Sequence, residues 1–418
     1  MTVNLVYIVF IGLIAVLAIV SIYFISDMVA RRREGKKVDA LTQELRSVFA
    51  RFLPDEGEPH QDPEKAGWVI RYKEKHPHYT PERKQPGQVD AFFRKQHSGA
   101  DYDDDIRQLK KQVMTKAGLQ AFNTCYSEYV LAHGYTEKAR DFAGMVIDYR
   151  VLQKNKVVRD KYRTSYILYL LAEYRIYTPE VEEFALRSLN DKSLYVRGNA
   201  LRVIKNTGDI PLMAYAFETI NKSEHYYNDK VLIDFLDSFA GDLDSLDDEL
   251  IKLFDSMQEE LRVLLITHFT NRRNNNPVIL DKMLECMEDE DMEVVIAATK
   301  YFGWMYDKRA HDLILQNLGN EQWEIRAQSA RVAQRGYGSP QMIDRLECLL
   351  GDGNWFVRMN SAYSFINMVE DEARINAVLE GGDRYAREIT MYVMFDRGKM
   401  DYDRYTQMME KEAERSLA

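Results

Sequence analysis

The chain has 418 residues, 46% of them hydrophobic, which is enough for a sizeable core and for two or three domains' worth of chain. Its 56 basic and 66 acidic side chains leave a net charge of −10, so a polyanion such as DNA or RNA is disfavoured as a partner by long-range electrostatics. Three cysteines, Cys125, Cys286 and Cys348, lie far apart without CxxC spacing. They read as buried thiols in a reducing compartment and not as a disulfide framework or zinc site.

The first expected element is a membrane anchor over residues 1–26. No charged side chain occurs there, and Val3–Ile25 is nearly all apolar. Twenty-three helical residues reach roughly 34 Å, enough to cross a hydrocarbon core of about 30 Å. A cleaved signal peptide would carry a basic start and a shorter apolar run. Here the positive charge follows the span, in Arg31-Arg32-Arg33 and Lys36-Lys37. The positive-inside rule then predicts a single-pass protein of the inner membrane, with the N-terminus outside and the body in the cytoplasm.

Residues 27–53 hold seven basic and four acidic side chains, and Val38, Leu41, Leu45, Val48 and Phe52 follow helical spacing. An amphipathic helix is expected. It could lie on the inner leaflet, pair with a partner helix or pack on its own domain. Residues 54–105 are then expected to form an extended tether, because they contain six prolines and few apolar clusters. His76-Pro-His78 lacks the Cys or carboxylate companions of a metal site. Asp101, Asp103 and Asp105 alternate as in a calcium loop, but Ile106 and Gln112 stand where glycine and glutamate are needed.

From Ile106 the pattern is helical throughout. Over residues 106–177 helices are expected at Ile106–His133, ending at Gly134, from Thr136 to about Lys154, and at Val157–Tyr177. Residues 178–397 carry an internal repeat. Segments starting at Leu189, Phe254, Met287, Leu318, Leu350 and Leu379, with a degenerate one near Ile220, step by 31, 34, 33, 31, 32 and 29 residues. Eight places on stand Arg197, Arg262, Arg326, Arg358 and Arg387, with Val295 as the exception, each after an apolar residue. The turn two places after the start holds Asp191, Asp289 and Asp352 in three units. First helices are often announced by proline, as in Thr178-Pro179 and Ser339-Pro340. Stacked pairs of such helices share a core that none could bury alone. Residues 398–418 make a polar capping helix.

The combinations Leu189-x-Asp191…Val196-Arg197, Leu318-x-Asn320…Ile325-Arg326 and Leu350-x-Asp352…Val357-Arg358 resemble the HEAT repeat in its short bacterial form, over roughly residues 178–395. The resemblance implies an all-α fold: an α-solenoid of HEAT-like hairpins, here preceded by a single transmembrane helix. It implies a structural ladder of Asp191, Asp289 and Asp352 with Arg197, Arg262, Arg326, Arg358 and Arg387. Asn228, standing where the degenerate unit should have its arginine, departs from the pattern.

No catalytic constellation stands out: HExxH, GxSxG, Walker and GxGxxG motifs are all missing. His133, His225, His268 and His311 each sit alone in helical patterns, and Asp247-Asp248 and Glu259-Glu260 read as helix starts or solvated faces. No metal, cofactor or small-molecule substrate is expected. Trp323 and Trp355 share one repeat position, with Tyr195 and Phe356 one place further. These four form a protein-binding stripe if exposed, and inter-unit core if not. The expected function is a membrane-tethered cytoplasmic scaffold for a membrane-associated protein partner. The resemblance joined to an anchor implies an accessory of a cell-envelope polysaccharide complex. The alternative is a HEAT-like regulatory or lyase-type enzyme acting on a modified protein.

Overall fold

The computed structural model describes residues 2–53, 100–154 and 162–417, with side chains described over 26–53, 105–152 and 162–415. Among the described residues the chain is all-α, with 21 α-helices and no strand. It divides into two compact units, residues 1–203 and 204–418.

In the first unit, α1 runs unbroken from Thr2 to Phe52. The two separate segments expected at 1–26 and 27–53 are thus one helix. The side chains of the expected anchor lie outside the described residues, and among the described residues no helix is long and apolar enough to cross a membrane. The C-terminal part of α1 packs on its own domain, against α3 (Lys116–His133). Leu45, Phe49, Phe52 and Leu53 are buried there. Lys116 meets Glu34 at 2.6 Å and Arg46 meets Glu128 at 2.6 Å, so α3 runs parallel to α1. Between them in sequence, α2 (Ala100–Val113) runs back along the pair, and Asp105 reaches Arg51 at 2.8 Å. Phe49 meets Phe122 tilted and Phe142 edge-on, each with centroids 5.2 Å apart, and Tyr174 closes on Tyr126 at 4.8 Å. Large rings at 4.5–7 Å bury much area and fix geometry, which makes this aromatic cluster the unit's anchor point.

The helices expected at Ile106–His133 and Thr136–Lys154 are each broken in two. Thr115 caps α3 by accepting from the Gly118 amide, separating it from α2. Within the second stretch, α4 (Glu137–Val146, capped by Thr136) and α5 (Tyr149–Lys154) part at Ile147, which is extended and buried, with Asp148 opening α5. Hydrophobic spacing continues across both breaks, and the interrupting signal is a Thr or Asp that competes for backbone N–H groups. Helix α6 (Arg163–Glu173) completes this part.

From Pro179 the helices come in pairs. In the first unit α7 (Pro179–Ser188) precedes α8 (Leu194–Thr207), which crosses the division. The second unit holds α9 (Ile210–Asn221) with α10 (Asp229–Asp237), α11 (Leu243–Leu253) with α12 (Glu259–Arg272), α13 (Pro277–Cys286) with α14 (Met292–Phe302), and α15 (Ala310–Asn317) with α16 (Trp323–Ala333). It continues through α17 (Pro340–Cys348) with α18 (Trp355–Met368) and α19 (Glu372–Glu380) with α20 (Arg384–Asp396), and ends in α21 (Tyr402–Leu417). Proline sits in the first turn of α7, α9, α13 and α17, where its missing N–H costs nothing. Asn228, out of register with the arginine pattern, caps α10 by accepting from Val231. Second helices α12, α14, α16, α18 and α20 pack each on the next, so contacts are local between neighbours. This is a helical-repeat arrangement compatible with a solenoid.

Candidate functional site

The repeated arginines hold the turns of the pairs. Arg197, Arg326, Arg358 and Arg387 each donate through Nη1 to the carbonyl six residues back, at Asp191 (2.9 Å), Asn320 (2.9 Å), Asp352 (2.7 Å) and Gly381 (2.6 Å). The same side chain can reach forward to the next pair. Arg262 meets Asp289 at 2.6 Å, and Arg326 grips Asp352 with two bonds at 2.9 and 3.0 Å. Burial raises the Asp289 carboxyl, and the Asp291 amide and Arg262 more than offset this, holding it below the usual range. Where the next turn has Gly381 at the ladder position instead of an aspartate, Arg358 lies over the Tyr385 ring at 4.6 Å. At the end of the series Arg387 pairs with Glu412 of α21, both nearly buried. Val295 interrupts the series, and it is buried among apolar neighbours.

The aromatic positions are on the surface. Trp323, Trp355 and Phe356 are 36%, 49% and 55% exposed, which removes the core alternative for them. Trp323 stacks on Phe356 at 5.7 Å, and Phe356 takes Trp355 edge-on at 5.1 Å. Tyr385, also exposed and stacked on Arg358, extends the row one pair further. The starts of α16, α18 and α20 therefore present an aromatic edge in the second unit. Tyr195, on α8 in the first unit, is 77% exposed.

Sequence reading misplaced Asp247. It was expected on a helix start or solvated face, yet its side chain is fully buried beside His268. His268 Nε2 lies 2.9 Å from Asp247 Oδ1, and Nδ1 lies 3.0 Å from Asp237 Oδ1, so each ring nitrogen faces a carboxylate oxygen. Asp247 Oδ2 accepts from Arg272 Nε at 2.8 Å and from Asn274 Nδ2 at 2.6 Å. Burial pushes the Asp247 carboxyl up, but His268, Asn274 and Arg272 outweigh it and hold the group below the usual carboxylate range. Helical periodicity gave no sign of this cluster, because its members come from α10, α11, α12 and the turn after α12. Between Arg272 and Asn274, both pinned by Asp247, Arg273 adopts a left-handed backbone with φ 52°.

Two of the three cysteines are buried as expected. Burial pushes the Cys125 thiol up to about 11 and the Cys286 thiol up to about 12, which suits inert packing groups. Cys348 departs from the expectation. It is exposed and lines a cleft of about 420 Å³ with Arg345, Asp344 and Gly319. The cleft holds neither Asp247 nor His268. The histidines of residues 54–99 and their metal question lie outside the described residues.

No protein-family model matches the chain, and a search of curated proteins finds no match either.

Proposed function

We propose that this chain is a membrane-tethered scaffold, built on HEAT-like repeats, that binds a protein partner along the aromatic edge of its second unit. The observation that carries the reading is the exposed row of Trp323, Phe356, Trp355 and Tyr385 at two adjacent repeat positions. Stacked, half-exposed aromatics on rigid helix starts are the residue type that dominates protein interfaces, and their rigidity lowers the entropy cost of binding. The buried His268–Asp247 cluster favours a scaffold over the enzyme reading, since its fully buried groups are spent on one another.

The apolar run Val3–Ile25 and the basic cluster Arg31–Lys37 support the anchor and a cytoplasmic body. Because α1 continues into the aromatic cluster of the first unit, the attachment differs from the fifty-residue tether that the prolines suggest. The Pro-rich stretch joins Leu53 to Ala100 of the same unit, and Arg51 and Asp105 pair close to its two ends. Residues 26–33, about 12 Å of helix, then separate the span from the body.

A photo-crosslinking residue placed at Phe356 of the full-length chain in native membranes is expected to give one discrete adduct with a membrane-complex protein. The adduct should disappear with Trp323→Ala and should not form from the exposed position Val278. An adduct that forms equally from both positions, or none from Phe356, overturns the reading. Removal of residues 2–25 should release the chain from carbonate-washed membranes.

A further inference from the structure

A second surface lies at the C-terminal ends of three second helices, α12, α14 and α16. Trp304, just past α14, is 55% exposed, and two guanidiniums flank its ring: Arg273 from the end of α12 at 5.5 Å, and Arg335 from the end of α16 at 5.8 Å. Both arginines are exposed, and among the described residues neither forms an ion pair, in a chain where acidic side chains outnumber basic ones. Among the other ring-stacked arginines, Arg374 is committed to Asp344 and Glu347, Arg202 to Glu173, and Arg358 to backbone carbonyls. Lys300 and Arg331, one turn back on α14 and α16, are exposed and add charge of the same sign.

The placement is built into the fold. Asp247 pins Arg272 and Asn274, so the left-handed residue between them sends its guanidinium over Trp304. Gly336, with φ 106°, makes the turn that follows Arg335, and the Tyr306 ring covers it so closely that a Cβ there would come within 3.1 Å of the ring. Tyr306 is itself 61% exposed and extends the aromatic floor. A guanidinium stacked on an indole keeps its in-plane N–H groups free, and those groups suit carboxylates two at a time.

We infer that Arg273, Trp304 and Arg335 form a binding surface for an acidic peptide segment of a protein partner. The two arginines clasp side-chain carboxylates and Trp304 holds both arginines in place. The inference rests on the scaffold reading only in taking a protein segment as the ligand, and it uses a different edge of the second unit.

The test is fluorescence anisotropy of a labelled ten-residue glutamate peptide with the full-length chain in zwitterionic-lipid nanodiscs. Saturable, salt-sensitive binding is expected, weakened about tenfold or more by R273Q/R335Q. Trp304→Ala should weaken it as well, while Arg187→Gln and Phe356→Ala leave it unchanged, and thermal unfolding confirms that each variant is folded. The inference is overturned if a glutamine peptide of equal length binds as well, or if folded R273Q/R335Q binds the glutamate peptide like wild type. It is equally overturned if the two arginines prove to serve phosphatidylglycerol vesicles and not the peptide. Failure of the scaffold reading would show instead as a missing adduct at Phe356 with peptide binding intact.

Discussion

At Asp247, burial and hydrogen bonding pull in opposite directions, and hydrogen bonding wins. A carboxylate held below its unfolded value of about 3.9 stabilises the fold fully above that pH, and the contribution is lost as the pH falls through its lower folded value. The second unit should therefore lose stability on acidification below about pH 4. Urea midpoints at pH 7 and pH 3.5 would read this, and Asp247→Asn should shrink the difference. Asp247→Ala removes the buried partner of His268 Nε2, Arg272 Nε and Asn274 Nδ2, leaving only Asp237 and Asp244 on the cluster's edge, and should cost about 2–4 kcal/mol at pH 7. Arg326 is the other residue whose loss is felt widely, since it satisfies the carbonyls of Asn320 and Glu321 as well as both oxygens of Asp352. Arg326→Ala should destabilise by about 2–3 kcal/mol. Arg358→Ala, which loses a tyrosine face in place of a carboxylate, should cost less.

Among the elements, α1 and α21 depend most on single contacts. The hold of α1 on α3 is concentrated in Phe49 and Phe52, which close on Phe122 and Phe142. Phe49→Ala should cost about 3–5 kcal/mol and raise amide exchange selectively in residues 38–53, since the cavity opens at that seam. Helix α21 is largely polar, with Glu412 buried against Arg387. The hydrogen bonds from Arg387 hold the Glu412 carboxyl below its usual range. Glu412→Ala leaves Arg387 without its partner, so α21 should become the first site of limited trypsin cleavage, at Lys411 or Arg415. An unchanged digestion pattern would count against α21 as the cap of the last pair.

For the whole molecule, the unbroken α1 changes what the proline-rich stretch can do. Leu53 and Ala100 belong to one compact unit, with Arg51 and Asp105 paired at 2.8 Å, so under the proposed anchoring α1 itself sets the distance between body and membrane. Replacing residues 56–97 with about a dozen Gly and Ser residues should leave membrane association intact. The first unit should still fold, since Arg51 and Asp105 hold its two ends together without those residues. Calorimetry of the full-length and shortened chains reads the folding, and loss of the first unit's transition would sink this view.

The all-α class, the paired helices and the caps at Thr136, Thr178, Asn276 and Ser339 were legible in the sequence. They depend on local chemistry: spacing of apolar residues, proline in a first turn, a side-chain oxygen before a helix. The repeat position of Trp323, Trp355 and Phe356 was legible too, but not its exposure, since an aromatic fits either side of a helix start. The breaks at Thr115 and Ile147 were hidden because hydrophobic spacing runs on through them. What only the tertiary structure decided came from residues far apart in sequence. Asp237, Asp247, His268 and Asn274 meet inside one network, Arg273 and Arg335 share one indole, and Arg51 meets Asp105 across a fifty-residue excursion. Sequence determines the helical class and many of the caps, because those preferences act within a turn or two. Which charges are satisfied and which are left facing outward depends on neighbours that only packing supplies.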